Sequence, residues 1–173
     1  KKNFAGIAWL TMFFVLGMLI LGPCAIVYGL CRKYLRGTKP FQYFLCHHKN
    51  GSGAYTRLLK MHLETAPKIK QKIFVDSDNL DNLDRLFDYV GNDTSTLLVI
   101  RSEALFTRPY CIGEMCTARL KRVPVVTVAL PNSLPPEDEF IASFASRVQD
   151  LHVLTESGMS LEMLTETLVW VRS

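Results

Sequence analysis

From Phe4 to Leu30 the sequence carries no charged residue: FAGIAWLTMFFVLGMLILGPCAIVYGL. A bilayer core takes about 20 apolar residues in helical form, so this run is long enough to span one with some tilt. A secretory signal has a shorter apolar core and a small-residue cleavage site. The core helix of a soluble domain rarely extends this far without a polar face. Pro23, after Gly22, predicts a kink rather than an end, which membrane helices tolerate. Trp9 and Tyr28 fall near the two ends, where amphipathic rings favour the interface. Residues 4–31 are therefore expected to form one transmembrane helix.

Arg32, Lys33, Arg36 and Lys39 follow directly, so residues 32–39 read as a basic juxtamembrane linker. This cluster outweighs Lys1 and Lys2, which puts the C-terminal side in the cytoplasm of a single-pass membrane protein. Cys31 at that boundary is a place for a palmitoyl group, an unmodified thiol being the plainer expectation. The chain opens on Lys1 without a Met and stops just after the apolar Leu168–Val171, as a piece of a longer protein would. Its 173 residues suit one domain plus an attachment segment. A content of 49% apolar and 21% charged residues excludes a disordered chain. The formal charge of +4 is mild and partly local, with no basic stripe interleaved with aromatics, so nucleic acid is not an expected partner.

Beyond Pro40, short apolar runs alternate with amphipathic stretches. Strands are expected at Phe41–Cys46, Lys72–Val75, Thr96–Ile100, Val123–Leu130 and Leu151–Leu154. The third and fourth are almost wholly apolar, as parallel strands covered on both faces are. Helices are expected at about Ala54–Thr65, with Leu58, Leu59, Met61 and Leu63 as its apolar side, and at Leu83–Val90, Tyr110–Lys121, Asp138–Arg147 and Ser160–Val171. Pro109 suits the first turn of the third. Five strand–helix alternations over residues 40–173 predict an α/β domain with a doubly wound parallel sheet of five strands.

Ligands bind such sheets beyond the carboxyl ends of the strands. Those ends lead here into His47–Gly53, Asp76–Asn82, Arg101–Pro109 and Pro131–Pro136. The first loop, HHKNGSG, has neither a GxxxxGK[ST] phosphate loop nor a dinucleotide fingerprint. Asp76 and Asp78 are compatible with a phosphoacceptor or a Mg²⁺ site, although capping and turn formation explain them more simply. His47 and His48 point to opposite sides of an extended chain, which disfavours a metal pair. The five cysteines, Cys24, Cys31, Cys46, Cys111 and Cys116, contain no CxxC, so spacing suggests no zinc site or redox pair, and reduced thiols are expected. Glu114 lies in the second turn of the third helix, away from the apolar face of Ile112, Met115, Cys116 and Leu120. On pattern alone it reads as a solvated side chain.

The stretch SEALFTRPYCIGE, Ser102 to Glu114, resembles the pattern of the TIR (Toll/interleukin-1 receptor) domain family: a serine-led loop, an aromatic residue, a cysteine and a glutamate three residues later. FQYFLCHH is similar to that family's first strand, KIFVDSDNLDNLDRLF to its second strand and following loop, and RVPVVTVAL to its fourth strand. The resemblance covers Pro40 to about Arg172 and implies a flavodoxin-like sheet of five parallel strands. It implies two kinds of action: signalling through association with other TIR domains, or hydrolysis of NAD⁺ at the nicotinamide–ribose bond. In the second, Glu114 would be the catalytic carboxylate, with Tyr110 and Cys111 as substrate-binding neighbours. NAD⁺ would be substrate, with no cofactor or metal. A lone carboxylate suits this chemistry: the transition state is oxocarbenium-like, and nicotinamide leaves neutral without a protonating acid. Partner contacts would fall on the loop carrying Asp76, Asp78, Asp81 and Asp84. Two positions depart from the family. Tyr110 stands where tryptophan is usual, and Ser77–Asp84 lacks the Gly and Pro common in its self-association loop. Enzymatic members complete their site between neighbouring TIR domains, so that loop bears on both activities.

Overall fold

In a computed structural model, residues 2–34, 39–76 and 85–172 are described. The chain divides into two compact units, 1–38 and 39–173.

The first unit is a single helix, α1 (Lys2–Tyr34), 33 residues long and running through Pro23. Its segment Trp9–Leu30 has a mean hydropathy of 2.4 over its most apolar stretch and buries none of it. By length and composition it can cross a membrane. Arg32 and Lys33 lie within its last turns.

The second unit is built on a parallel sheet of four strands: β1 (Phe41–His47), β2 (Lys72–Phe74), β3 (Thr94–Arg101) and β4 (Val125–Ala129). Their spatial order is β2-β1-β3-β4, that of the flavodoxin-like doubly wound fold up to its fourth strand. Register runs from Phe41 opposite Thr94 to His47 opposite Ile100, and from Leu97 opposite Val125 to Arg101 opposite Ala129. Side chains alternate between faces with period two. Phe44, Cys46, Phe74, Leu97 and Val99 enter the main core, while Leu45, Ile73, Val75, Leu98 and Ile100 form a smaller core on the other face.

Helices supply the layers: α2 (Lys49–Glu64), a turn α3 (Leu86–Asp88) continuing into a π-turn at Tyr89–Asp93, α4 (Pro109–Leu120), α5 (Asp138–Arg147), α6 (His152–Glu156) and α7 (Leu161–Arg172). On the main face, rings pack on rings: Phe74 stacks on Phe44 at 4.8 Å, meets Phe41 edge-on at 5.0 Å and lies 4.9 Å from Tyr89. Lys39, at the entry to this unit, donates to the carbonyls of Thr94 at 2.6 Å and Gly91 at 3.4 Å, joining the approach to β1 to the start of β3.

Three expectations change. Leu151–Leu154 is not a fifth strand: Asp150 takes a left-handed conformation (φ 56°), and the run turns into α6. A four-residue apolar run has no period that separates strand from helix. One helical turn brings Leu154 into the core against α4, and β4 then ends the sheet among the described residues. The first domain helix begins at Lys49, five residues before the expected Ala54, taking in most of the glycine-containing loop. Gly51 permits this, because a Cβ there would stand 3.1 Å from His48 Nδ1 and 3.3 Å from Ser102 Oγ. Finally, Leu58 and Met61 face outward, and only Leu59 and Leu63 reach the smaller core. The second expected helix overlaps residues outside the described ones, Asp138–Arg147 is found as expected, and the other boundaries differ by up to three positions, as helix and strand ends do.

Candidate functional site

The carboxyl end of β1 and the amino end of α4 meet at one seam. α4 starts at Pro109, where a missing N–H is harmless, and it is buried from Cys111 through Ala118. It is enclosed by β1, α3, α6 and α7, so it has no solvated side for Glu114 to occupy. The amphipathic reading of this helix, with a solvated Glu114, is therefore overturned: Glu114 is 4% exposed. Gly113 makes the enclosure possible, since a Cβ there would fall 2.5 Å from Phe87 Cε1 and 2.7 Å from Leu154 Cδ2.

Two thiols share the seam. Cys111 donates its S–H toward the carbonyl of His47 at 3.4 Å, and Cys46 toward the carbonyl of Cys111 at 3.9 Å. Glu114 joins them: a carboxylate oxygen and the two sulfurs all lie within 4.8 Å of one another. Its Oε2 has no hydrogen-bond partner. Burial pushes the Glu114 carboxyl up to about 8, with Asp76 adding to the rise and the Cys46 thiol opposing it. The Cys46 thiol is held well above its ordinary value by its hydrogen bond to Cys111, by burial and by Glu114.

Beside this seam lies a cavity of about 340 Å³, lined by His47, His48, Lys49, Asn50, Asp76, Leu86, Arg108, Tyr110 and Cys111. Arg108 Nη2 donates to His48 Nε2 at 2.8 Å. Partial burial, then the Arg108 and His47 charges, holds the His48 imidazole below its ordinary value and keeps it neutral at pH 7. Asp76 lies 3.4 Å from Lys49 Nζ and 3.8 Å from His47 Nδ1. The two histidines thus face different partners, as an extended chain dictates.

Among the sequence-derived candidates, Glu114 and Cys111 meet directly, and Tyr110 and Cys111 line the cavity. Glu114 does not line it. Asp76 belongs to the cavity wall, while Asp78, Asp81 and Asp84 lie outside the described residues. Cys46, Lys49 and Arg108 were not foreseen as site residues. Cys46 had a findable signal, since it shares the parity of Phe44 in β1 and must face the helix carrying Glu114.

No protein-family model matches the chain, and no curated protein matches it. Among solved structures it is similar to the TIR domains of the activated Roq1 resistosome, which directly recognises the pathogen effector XopQ. The TM-score is 0.47 at 15% identity, over 76% of this chain and 83% of that one.

Proposed function

We propose that the chain is a membrane-anchored TIR-domain protein that signals by association with other TIR domains, held on the cytoplasmic side by its single N-terminal span. The family reading comes from the Ser102–Glu114 motif on a sheet of flavodoxin-like order. The choice between its two activities comes from Glu114. Stabilising an oxocarbenium-like transition state takes an ionised carboxylate at the reacting sugar. Here the carboxyl is buried, raised to about 8 and absent from the cavity wall, so at pH 7 it is mostly neutral and out of reach. In association the same group has a structural place inside the β1–α4 seam, and partner contacts would fall on the side of the domain that carries Asp76.

One observation favours NAD⁺ hydrolysis as the second reading. The cavity beside Glu114 has a volume within the usual range for small-molecule sites, and Lys49 and Arg108 on its wall suit an anionic ligand. In that reading, association turns Glu114 into the cavity, and Tyr110 and Cys111 contact the nucleotide.

The test uses the full chain in vesicles, labelled with donor and acceptor dyes at low surface density, with NAD⁺ added. Energy transfer above that of randomly placed molecules, without nicotinamide release, is the expected result. Random-level transfer would defeat association of the chain with itself. Nicotinamide release lost in Glu114→Gln would establish the hydrolase.

A further inference from the structure

Three potential ligand atoms converge in the interior from two elements: Cys46 Sγ from β1, Cys111 Sγ and a Glu114 oxygen from α4, all buried and mutually within 4.8 Å. Packing does not demand them, because three apolar side chains would fill the seam without burying a carboxyl. Glu114 Oε2 is buried without a hydrogen-bond partner, which destabilises the fold unless something compensates it. The cluster has the donor composition of a transition-metal site. Thiolate sulfur excludes the hard cations Mg²⁺ and Ca²⁺, and the mixture of two sulfurs with a carboxylate suits Zn²⁺.

The geometry points to a site for one Zn²⁺ ion, held by Cys46, Cys111 and Glu114 with its fourth position toward the cavity that Cys111 lines. Tetrahedral zinc with Zn–S near 2.3 Å sets sulfurs about 3.8 Å apart. With every separation inside 4.8 Å, the three atoms need to close by at most about 1 Å to meet that geometry. Binding replaces three protons, one from each thiol and one from the carboxyl, and releases them to solvent. The bound set then carries a net charge of −1, and the adjoining wall answers it with Arg108 and with Lys49, the latter shared with Asp76. The ion would satisfy the orphaned Glu114 oxygen and pin β1 to α4. This proposal rests on neither functional reading, and its test reads metal rather than nicotinamide or association.

The experiment uses the full chain in detergent micelles under reducing conditions, with Cys24→Ser and Cys31→Ser so that membrane-helix thiols do not compete. Co²⁺ is the probe, displaced afterwards by Zn²⁺. One equivalent of Co²⁺ should give thiolate-to-cobalt charge-transfer absorption and strong tetrahedral d–d bands, both lost on adding Zn²⁺. Cys46→Ser or Cys111→Ser should weaken binding about a hundredfold or more, beyond the cost of losing an outer-shell contact. Glu114→Gln keeps both sulfurs. It should retain the charge-transfer band, bind more weakly and release one proton fewer, which tests the assignment even where a serine variant fails to fold. A folded parent chain showing no charge-transfer band would overturn the proposal. So would a band that survives the combined Cys46→Ser and Cys111→Ser substitutions.

Discussion

Cys46 and Cys111 bind each other's elements through sulfur: the Cys111 thiol reaches the carbonyl that follows Cys46 in β1, and the Cys46 thiol reaches the carbonyl of Cys111 in α4. Glu114 sits against this paired contact, with a carboxyl oxygen within 4.8 Å of both sulfurs.

The first prediction concerns pH. The Glu114 carboxyl is raised from 4.5 to about 8. Between those values the folded chain holds a proton that the unfolded chain has lost, so stability must fall as pH rises. The stabilisation is fully present below 4.5 and gone above about 8. The limiting slope is about 1.4 kcal/mol per pH unit for one proton. Thermal unfolding of the parent chain and Glu114→Gln, compared at pH 5, 6, 7 and 8, isolates this group. The difference between them should shift steadily over that window, and a constant difference would mean that Glu114 is ionised throughout.

Gly113→Ala should destabilise the domain by about 1–3 kcal/mol, the usual cost of overpacking. The new methyl meets the Phe87 ring and Leu154 at under 3 Å, so both side chains must shift to admit it. Chemical denaturation measures it. Phe87→Leu, by shortening the nearer obstacle, should return part of the loss.

Phe74→Ala should cost about 3–5 kcal/mol, the range for a buried aromatic truncated to alanine. Phe74 touches Phe41, Phe44 and Tyr89 at once. The loss should reach β1 and the π-turn together, read as faster hydrogen exchange at both. A local effect confined to β2 would contradict this packing.

Arg108→Ala should raise the His48 titration point, because the nearby guanidinium charge is removed. Burial, the larger cause, stays, so the value should remain below the ordinary 6.5. An NMR titration of the imidazole follows this directly.

Most of the fold was legible because its signals are local and redundant. The long apolar helix follows from 27 residues without a charge, and β3 and β4 follow from apolar runs flanked by turn residues. Asp138–Arg147 was placed to the residue, since acidic residues open it and an apolar stripe runs through it. The misreadings lie where distant residues decide. Leu151–Leu154 is helical because Leu154 closes on Gly113, a contact across 41 residues of chain that no window contains. Glu114 is buried because four elements surround α4, which helical periodicity cannot count. The pairing of Cys46 with Cys111 spans 65 residues and follows only once the register of β1 is known.

Lys39 has a mechanical consequence. The chain enters its folded unit at the amino end of β1, tied there to Thr94 and Gly91, while the thiols and Glu114 gather at the carboxyl end. Seven residues of strand, about 20 Å, separate the two ends. Tension arriving along the chain from residue 38 would load β1 lengthwise as the central strand, shearing it against β2 on one side and β3 on the other. Many backbone hydrogen bonds resist such shear together, so a pull from the N-terminal side would be spent along the strand before it reached the cysteine seam.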